Sequence, residues 1–133
     1  MSNPTVSCIL AVYNGGQYLA EALESIRAQS RPIDEVIVVD DGSTDESWSI
    51  IQDHVRRDAR IVALKKRNSG LADSLNAGIA HSRAPWIARL DADDSNSPTR
   101  LAEQLEFVRA HPATVLVGTG LQAMDEDDRV IRS

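Results

Sequence analysis

The chain has 133 residues and a formal net charge of −6, with 42% hydrophobic and 26% charged residues, as expected for one globular domain with a single core. The negative charge argues against nucleic acid as the main partner, and no apolar run reaches the roughly 20 residues of a membrane-spanning helix. Cys8 is the only cysteine and lies in an apolar run, so we expect an inert core thiol and no internal disulfide.

Short apolar runs alternate with amphipathic segments along the chain. Five runs predict strands, at residues 5–12, 35–39, 60–64, 86–90 and 114–117, and we expect those at 5–12 and 86–90 to be buried. Apolar side chains at helical spacing predict four helices between them, marked by Leu19, Leu23 and Ile26, by Trp48, Ile51 and Val55, by Leu71, Leu75 and Ile79, and by Leu101, Leu105 and Val108. This alternation predicts an α/β, Rossmann-like fold: a mostly parallel sheet with helices on both faces.

Several local features refine this expectation. Ser43 and Glu46 have the spacing of a capping box for the second helix, and Ser97 with Pro98 predicts the start of the fourth. The acidic residues 125–128 predict a solvated loop, and Val130 with Ile131 predicts a further strand. The histidines lack zinc-site spacing and have polar neighbours, so we expect all of them at the surface: His54, His81 and His111.

Polar residues follow three of the predicted strands directly. Tyr13 and Asn14 follow the first strand, Asp40 and Asp41 end the second, and residues 91–94 follow the fourth. In parallel α/β sheets, ligands bind beyond the carboxyl ends of the strands. We therefore expect these residues on one rim of the sheet, forming a ligand site.

Three carboxylates, Asp91, Asp93 and Asp94, fall within four residues on that rim. An all-oxygen set suits a hard divalent cation such as Mg²⁺ or Mn²⁺, with a diphosphate completing the shell. The alternative is a solvated turn that caps the next helix. A calcium loop is excluded, because Asn96 stands at its glycine position and Ala102 at its glutamate position. Glycine fingerprints for dinucleotides and phosphate-binding loops are also absent from the sequence.

The motifs at residues 11–14, 39–45, 68–79 and 89–94 resemble, in the same order, those of family 2 glycosyltransferases with the GT-A fold. The resemblance covers nearly the whole chain. It implies an inverting enzyme that moves a sugar from a nucleotide diphosphate donor, often a UDP-sugar, to an acceptor hydroxyl with Mn²⁺ or Mg²⁺. It also implies that residues 1–133 form a single nucleotide-sugar-binding domain, the N-terminal part of a longer catalytic domain.

Site residues follow from the resemblance position by position. It implies that the nucleotide is bound by Ala11, Val12, Tyr13, Asn14, Asp41, Arg67, Asn68, Asp91 and Ala92, and the metal by Asp93 with Asp91. Tyr13 would pack on or beside the base, and Asp41 would accept a hydrogen bond from a ring N–H. A carboxylate only accepts, so Asp41 favours uracil or thymine over cytosine. The alternatives are that Asp41 merely caps the next helix and that Arg67 is a solvated charge.

An inverting transfer also needs a general base for the acceptor hydroxyl. In the resembled family that carboxylate lies downstream of the metal motif, so we expect it beyond Ser133, together with the site for a saccharide, lipid-linked or protein acceptor. An open sheet edge would favour self-association. With no visible secretory signal, we expect a cytoplasmic protein, free or peripheral to the inner face of a membrane.

Two other classes remain as alternatives. A sugar nucleotidyltransferase would carry a glycine-rich loop with arginine after the first strand, whereas residues 13–17 contain no basic residue. A non-catalytic nucleotide-binding domain would lack metal-dependent nucleotide affinity. The sequence therefore argues against the nucleotidyltransferase, whereas the non-catalytic domain stays open until nucleotide binding is measured.

Overall fold

The computed structural model describes residues 5–132 of the chain. Its elements are, in order, β1 (Val6–Val12), α1 (Gly16–Arg27), β2 (Glu35–Asp40), α2 (Ser47–Arg57), β3 (Ile61–Lys65), α3 (Leu71–His81), β4 (Trp86–Asp91), α4 (Arg100–Ala110), β5 (Ala123–Met124) and β6 (Val130–Arg132). The first four strands form a parallel sheet in the order β3-β2-β1-β4, and β5 pairs with β6 in an antiparallel hairpin. The predicted α/β architecture with a mostly parallel sheet is confirmed.

The core lies on both faces of the two central strands. All six residues of β2 are buried, which explains why that strand is a continuous apolar run rather than an alternating one. On one face, Leu10, Leu23 and Ile51 belong to a cluster that joins the sheet to α1 and α2. On the other face, Ile9 packs with Val39 beneath α3. Each such side chain contributes roughly 1.5–3 kcal/mol when fully buried.

Helix α3 lies close to the sheet because position 78 has no side chain. A Cβ added at Gly78 would lie 2.6 Å from Cγ2 of Ile9, well inside van der Waals contact. Cys8, as expected, is fully buried, and burial raises the pKa of its thiol to about 12. None of the helices in residues 5–132 is long and apolar enough to cross a membrane.

The strand order defines where a ligand can enter. β1 pairs with β2 on one side and with β4 on the other, so the connections leaving β1 and β4 diverge at a topological switch point. In the register of these pairs, Ala11 lies beside both Val39 and Asp91. The residues that follow β1, β2 and β4 therefore meet at one edge of the sheet, as the sequence predicts.

The strand predicted at residues 114–117 is wrong. This segment is not paired with any strand in the described part of the chain, and Val115 and Leu116 are 90% and 86% exposed. A short β-branched run becomes a strand only where an edge is available to pair with it. The fifth strand is Ala123–Met124, whereas the exposed acidic loop and the strand predicted at Val130 are confirmed.

Two predicted helix starts are also wrong. The Ser43–Glu46 capping box does not form, because the Ser43 hydroxyl accepts the backbone N–H of Asn14 and α2 begins at Ser47. α4 begins at Arg100 rather than at Pro98. The Ser97 carbonyl accepts the backbone N–H of Arg100 at 3.1 Å, closing a tight turn ahead of the helix.

His54 is buried, which contradicts the prediction that it lies at the surface, whereas His81 and His111 are exposed. Its Nδ1 lies 3.0 Å from the Ile50 carbonyl, and its Nε2 lies 3.3 Å from Oε1 of Glu24 on α1. Polar partners on both ring nitrogens make burial of this imidazole between α1 and α2 tolerable.

Candidate functional site

The β2–α2 loop begins with two aspartates that have different partners. Asp40 is fully buried, and its Oδ1 accepts the backbone N–H of Ser43 at 2.9 Å, so it holds the turn. Asp41 instead faces the β3–α3 loop, and its Oδ1 accepts Lys66 Nζ at 2.5 Å and the Ser69 N–H at 2.9 Å. Its Oδ2 accepts the Gly70 N–H at 3.0 Å. The helix-capping alternative therefore does not describe Asp41.

The charge state of Asp41 follows from these contacts. Burial alone would raise the pKa of this carboxyl, but hydrogen bonds from Lys66 and from the Ser69 and Gly70 amides outweigh it and hold the pKa below its ordinary value. Asp41 is 4% exposed. The rim thus contains a buried, ionised acceptor whose Oδ2 has a single hydrogen-bond partner among residues 5–132.

The β1–α1 loop lies beside this carboxylate. Tyr13 is 54% exposed, and an exposed aromatic ring offers a stacking face. Val12 is buried, with its carbonyl accepting the Asp41 N–H at 2.8 Å, and Ala11 is half-buried between β2 and β4. Asn14 has a left-handed backbone conformation with φ of 50°, and its side-chain oxygen accepts the Thr44 N–H at 2.8 Å.

The β3–α3 loop carries the other predicted nucleotide contacts. Arg67 and Asn68 are exposed on this loop, directly before the N-terminus of α3. The loop packs backbone to backbone against the β2–α2 loop: a Cβ added at Gly42, whose φ is 79°, would lie 2.8 Å from the Asn68 nitrogen. Gly70, with φ of 103°, completes the turn into the helix. Helix N-termini favour anionic ligands such as phosphates.

The carboxylate cluster forms a turn directly after β4. The Asp94 N–H donates to the Asp91 carbonyl at 3.1 Å, and the Asp91 side chain pairs with Arg89 at 3.3 Å. Burial, and then the charges of Asp93 and Asp91, raise the pKa of Asp94. Ala92 lies 3.6 Å from a Cβ added at Gly15, so this turn and the β1–α1 loop are neighbours.

The acidic turn can supply only some of the oxygen ligands that a hard cation needs. Within residues 5–132, no group of three or more acidic, histidine or cysteine side chains converges as a metal site would require. The oxygens of residues 91–94 nevertheless have the chemistry that Mg²⁺ and Mn²⁺ prefer, and these ions commonly take their remaining ligands from substrate phosphates and water. The residues fit such an ion together with a phosphorylated ligand.

Sequence reasoning missed two residues of this rim. Lys66 belongs to a basic triplet that is typical of a solvated strand end, yet its ammonium also donates to the Ser69 hydroxyl and to the Arg67 carbonyl. Asp45 accepts the backbone N–H groups of Gly16 and Ser47. Its position just before α2 is a local signal for a cap, but its contact with the other loop has no signal in the sequence.

Residues 7–133 match the family model for glycosyl transferase family 2. The chain belongs to this family. It is 39% identical over 127 residues to the putative glycosyltransferase EpsE of Bacillus subtilis (strain 168), a match that covers 94% of this chain and 46% of that protein. The chain thus spans less than half the length of this curated relative.

Solved structures of transferases have the same fold. The mannosyltransferase PcManGT from Pyrobaculum calidifontis, in complex with GDP-Man and Mn²⁺, superposes with a TM-score of 0.76 at 25% identity, over 96% of this chain and 38% of that one. TarS of S. aureus, in complex with UDP-GlcNAc, superposes with a TM-score of 0.76 at 24% identity, and the match covers 92% of this chain and 38% of that one. This family 2 chain has the α/β architecture of the GT-A fold.

Proposed function

We propose that this chain forms the donor site of an inverting glycosyltransferase that moves a sugar from a UDP-sugar to an acceptor hydroxyl with a divalent metal. The observation that carries the proposal is the rim itself. An exposed aromatic ring at Tyr13, a buried ionised acceptor at Asp41 and an acidic turn at residues 91–94 follow three adjacent strands. A nucleoside diphosphate has a matching aromatic base, ring N–H and metal-binding phosphates.

In this proposal, Tyr13 stacks beside the base and Asp41 accepts the N3–H of uracil. Oδ2 of Asp41 has one protein donor, so a lone pair is left for a ligand N–H. Cytosine presents a bare acceptor at that position and would face a buried negative charge. Guanine also presents a ring N–H, and PcManGT was solved with GDP-Man, so GDP is the second candidate nucleotide.

Asp93 and Asp91 are the proposed metal ligands, with Ala92 between them in the turn. Bound there, Mn²⁺ or Mg²⁺ would neutralise the charge that develops on the leaving diphosphate. The Mn²⁺ in the PcManGT complex supports the use of a divalent metal. Arg67 and Asn68 lie on the β3–α3 loop that contacts Asp41, at the opposite side of the rim from the acidic turn, and are proposed to lie beside the base.

Calorimetric titration of UDP, with Mn²⁺ or with a chelator, tests the proposal. We expect binding only with metal, and we expect the Asp93→Ala variant to lose the metal-dependent part while its unfolding temperature stays close to that of the wild type. Asp127→Ala, which removes an exposed carboxylate from the acidic loop before β6, is the matched control.

Three outcomes would count against parts of this account. If Asp93→Ala and the wild type bind UDP with equal affinity in the presence of Mn²⁺, Asp93 is not a residue of the site. If UDP binds equally tightly with Mn²⁺ and with a chelator, the result favours the non-catalytic nucleotide-binding domain. Release of pyrophosphate from UTP and a sugar 1-phosphate would identify a sugar nucleotidyltransferase.

A further inference from the structure

Two side chains tie the β1–α1 loop to the β2–α2 loop. Asn14, in the first loop, accepts the backbone N–H groups of Thr44 and Asp45, and Asp45, in the second loop, accepts the N–H of Gly16 at the start of α1. Asn14 and Asp45 are 31 positions apart in sequence. Tyr13 directly precedes Asn14, and Asp41 starts the loop that contains Asp45, so this connection spans the part of the rim that carries both base contacts of the proposed function.

The side-chain oxygen of Asn14 is committed to the protein. Its Oδ1 accepts the Thr44 N–H at 2.8 Å and the Asp45 N–H at 3.3 Å, and it lies 3.3 Å from the Thr44 hydroxyl. The Asn14 backbone N–H donates in turn to the Ser43 hydroxyl at 2.9 Å. A carbonyl oxygen has two lone pairs, so this oxygen has no capacity left to accept from a ligand.

The residue type at position 14 suits this geometry. The backbone there is left-handed, with φ of 50°, a conformation that asparagine and glycine adopt more readily than other residues. Asparagine therefore supplies both the turn and the acceptor, whereas glycine would supply the turn alone.

Asp45 reinforces the connection from the other side. Its Oδ2 accepts the Gly16 N–H at 3.0 Å and its Oδ1 accepts the Ser47 N–H at 2.9 Å. Gly16 and Ser47 are the first residues of α1 and α2, so one carboxylate satisfies an N-terminal donor of each helix. Both helices are thereby joined at the rim, next to the loop contact made by Asn14.

We propose that Asn14 is a positioning residue of the donor site, which acts on the nucleotide by holding the two loops in their binding geometry rather than by contacting the nucleotide through its side-chain oxygen. This inference rests on the proposed function, because the loops it connects carry Tyr13 and Asp41. A rim held together before the ligand arrives does not have to be ordered during binding. Without the connection, only a fraction of molecules present a competent rim.

The association and dissociation rate constants of UDP distinguish positioning from direct contact. If the competent fraction falls to about one tenth, the association rate constant falls about tenfold while the dissociation rate constant stays nearly unchanged. Loss of a direct contact acts mainly on the dissociation rate constant. The experiment is stopped-flow binding of UDP with Mn²⁺ to the wild type and to Asn14→Gly, which keeps the backbone conformation and removes the acceptor.

Two further variants control the comparison. Asn14→Asp keeps an acceptor oxygen and tolerates the same backbone, so it should keep the Thr44 and Asp45 amides protected from hydrogen exchange. Gln17→Ala changes an exposed residue three positions away and should leave both rate constants unchanged. Thermal unfolding of each variant verifies that the fold is retained.

We expect about a tenfold slower association for Asn14→Gly, together with faster exchange of the Thr44 and Asp45 amides. Faster dissociation with unchanged association, or no change in either constant, would overturn the inference. If the wild type binds no nucleotide, the proposed function fails. Hydrogen exchange then tests the loop connection without nucleotide. If the Thr44 and Asp45 amides exchange equally slowly in Asn14→Gly and in the wild type, the connection through Asn14 is refuted.

Discussion

Replacing Asp41 by asparagine should change which nucleotide base the rim accepts. In the wild type, Oδ1 holds the Lys66 ammonium and the Ser69 N–H, whereas Oδ2 holds only the Gly70 N–H. The asparagine oxygen should take the place of Oδ1, because it can accept from both the Lys66 ammonium and the Ser69 N–H there. Its NH₂ group then stands at the place of Oδ2, where it can no longer accept the Gly70 N–H and is a donor toward the ligand.

The size of the effect follows from the hydrogen bonds that change. In the wild type, a buried carboxylate facing the bare N3 of cytosine leaves an unsatisfied charge, which costs about 1–3 kcal/mol and corresponds to roughly ten- to a hundredfold weaker binding of CDP than of UDP. In Asp41→Asn, the NH₂ group opposes the uracil N3–H and suits the cytosine acceptor. The preference for UDP should therefore disappear or reverse.

Calorimetry with UDP, CDP and GDP in the presence of Mn²⁺ measures these affinities. Asp53→Asn is the matched control, because it removes one charge from an exposed position on α2, where Asp53 pairs with Arg57 at 2.8 Å, far along the helix from the rim. Equal binding of UDP and CDP by the wild type would refute the assignment of Asp41 to the base. Tighter binding of GDP than of UDP would identify guanine as the base instead.

Two further predictions concern stability. Hydrogen bonds from Arg60 lower the pKa of Asp58 to about 2 from 3.8, so its stabilisation is present at neutral pH and is lost as the pH falls from about 4 to about 2. Asp58→Asn should lower the free energy of unfolding by about 2 kcal/mol at pH 7 and by much less near pH 2, measured by urea denaturation, and an equal loss at both pH values would contradict this. Gly78→Ala should lower it by about 1–3 kcal/mol despite alanine's better helix propensity, because the new methyl group meets Ile9. Gly118→Ala, at a position with open space, is the control, and a stabilised Gly78→Ala would refute the packing argument.

The burial predicted for the strand at residues 86–90 is wrong, because β4 lies at the edge of the sheet and only Leu90 among its residues is buried. The central strands β1 and β2 could be predicted because burial on both faces produces uninterrupted apolar runs. β2 is the clearest case, with six buried residues and no alternation. The failure at residues 114–117 has the opposite cause. Hydropathy and β-branching describe the segment itself, whereas strand formation also needs an edge to pair with. His54 was misassigned for a similar reason, since its burial depends on Glu24 of another helix.

The rim itself was predictable, because parallel strands bring their carboxyl ends to one edge. The contacts within it were not. Asn14 bonds to Thr44 and Asp41 bonds to Lys66 over separations of 30 and 25 residues, and these pairings depend on loop conformation and rotamers that no local pattern encodes. Sequence reasoning could therefore identify Asp41 as an acceptor, but not the neighbours that keep it ionised.

Paramagnetic broadening by Mn²⁺ tests the central claim most directly, because it locates the metal in solution. In an amide-detected NMR spectrum of the chain with UDP, substoichiometric Mn²⁺ should first broaden the resonances of residues 91–94 and then those of Asn14 and Asp41 on the adjacent loops. Without UDP, the same Mn²⁺ should broaden them much less, since the acidic turn supplies only part of the ligand shell. Broadening centred on the acidic residues 125–128, or broadening that does not depend on UDP, would contradict a metal-assisted nucleotide site at this rim.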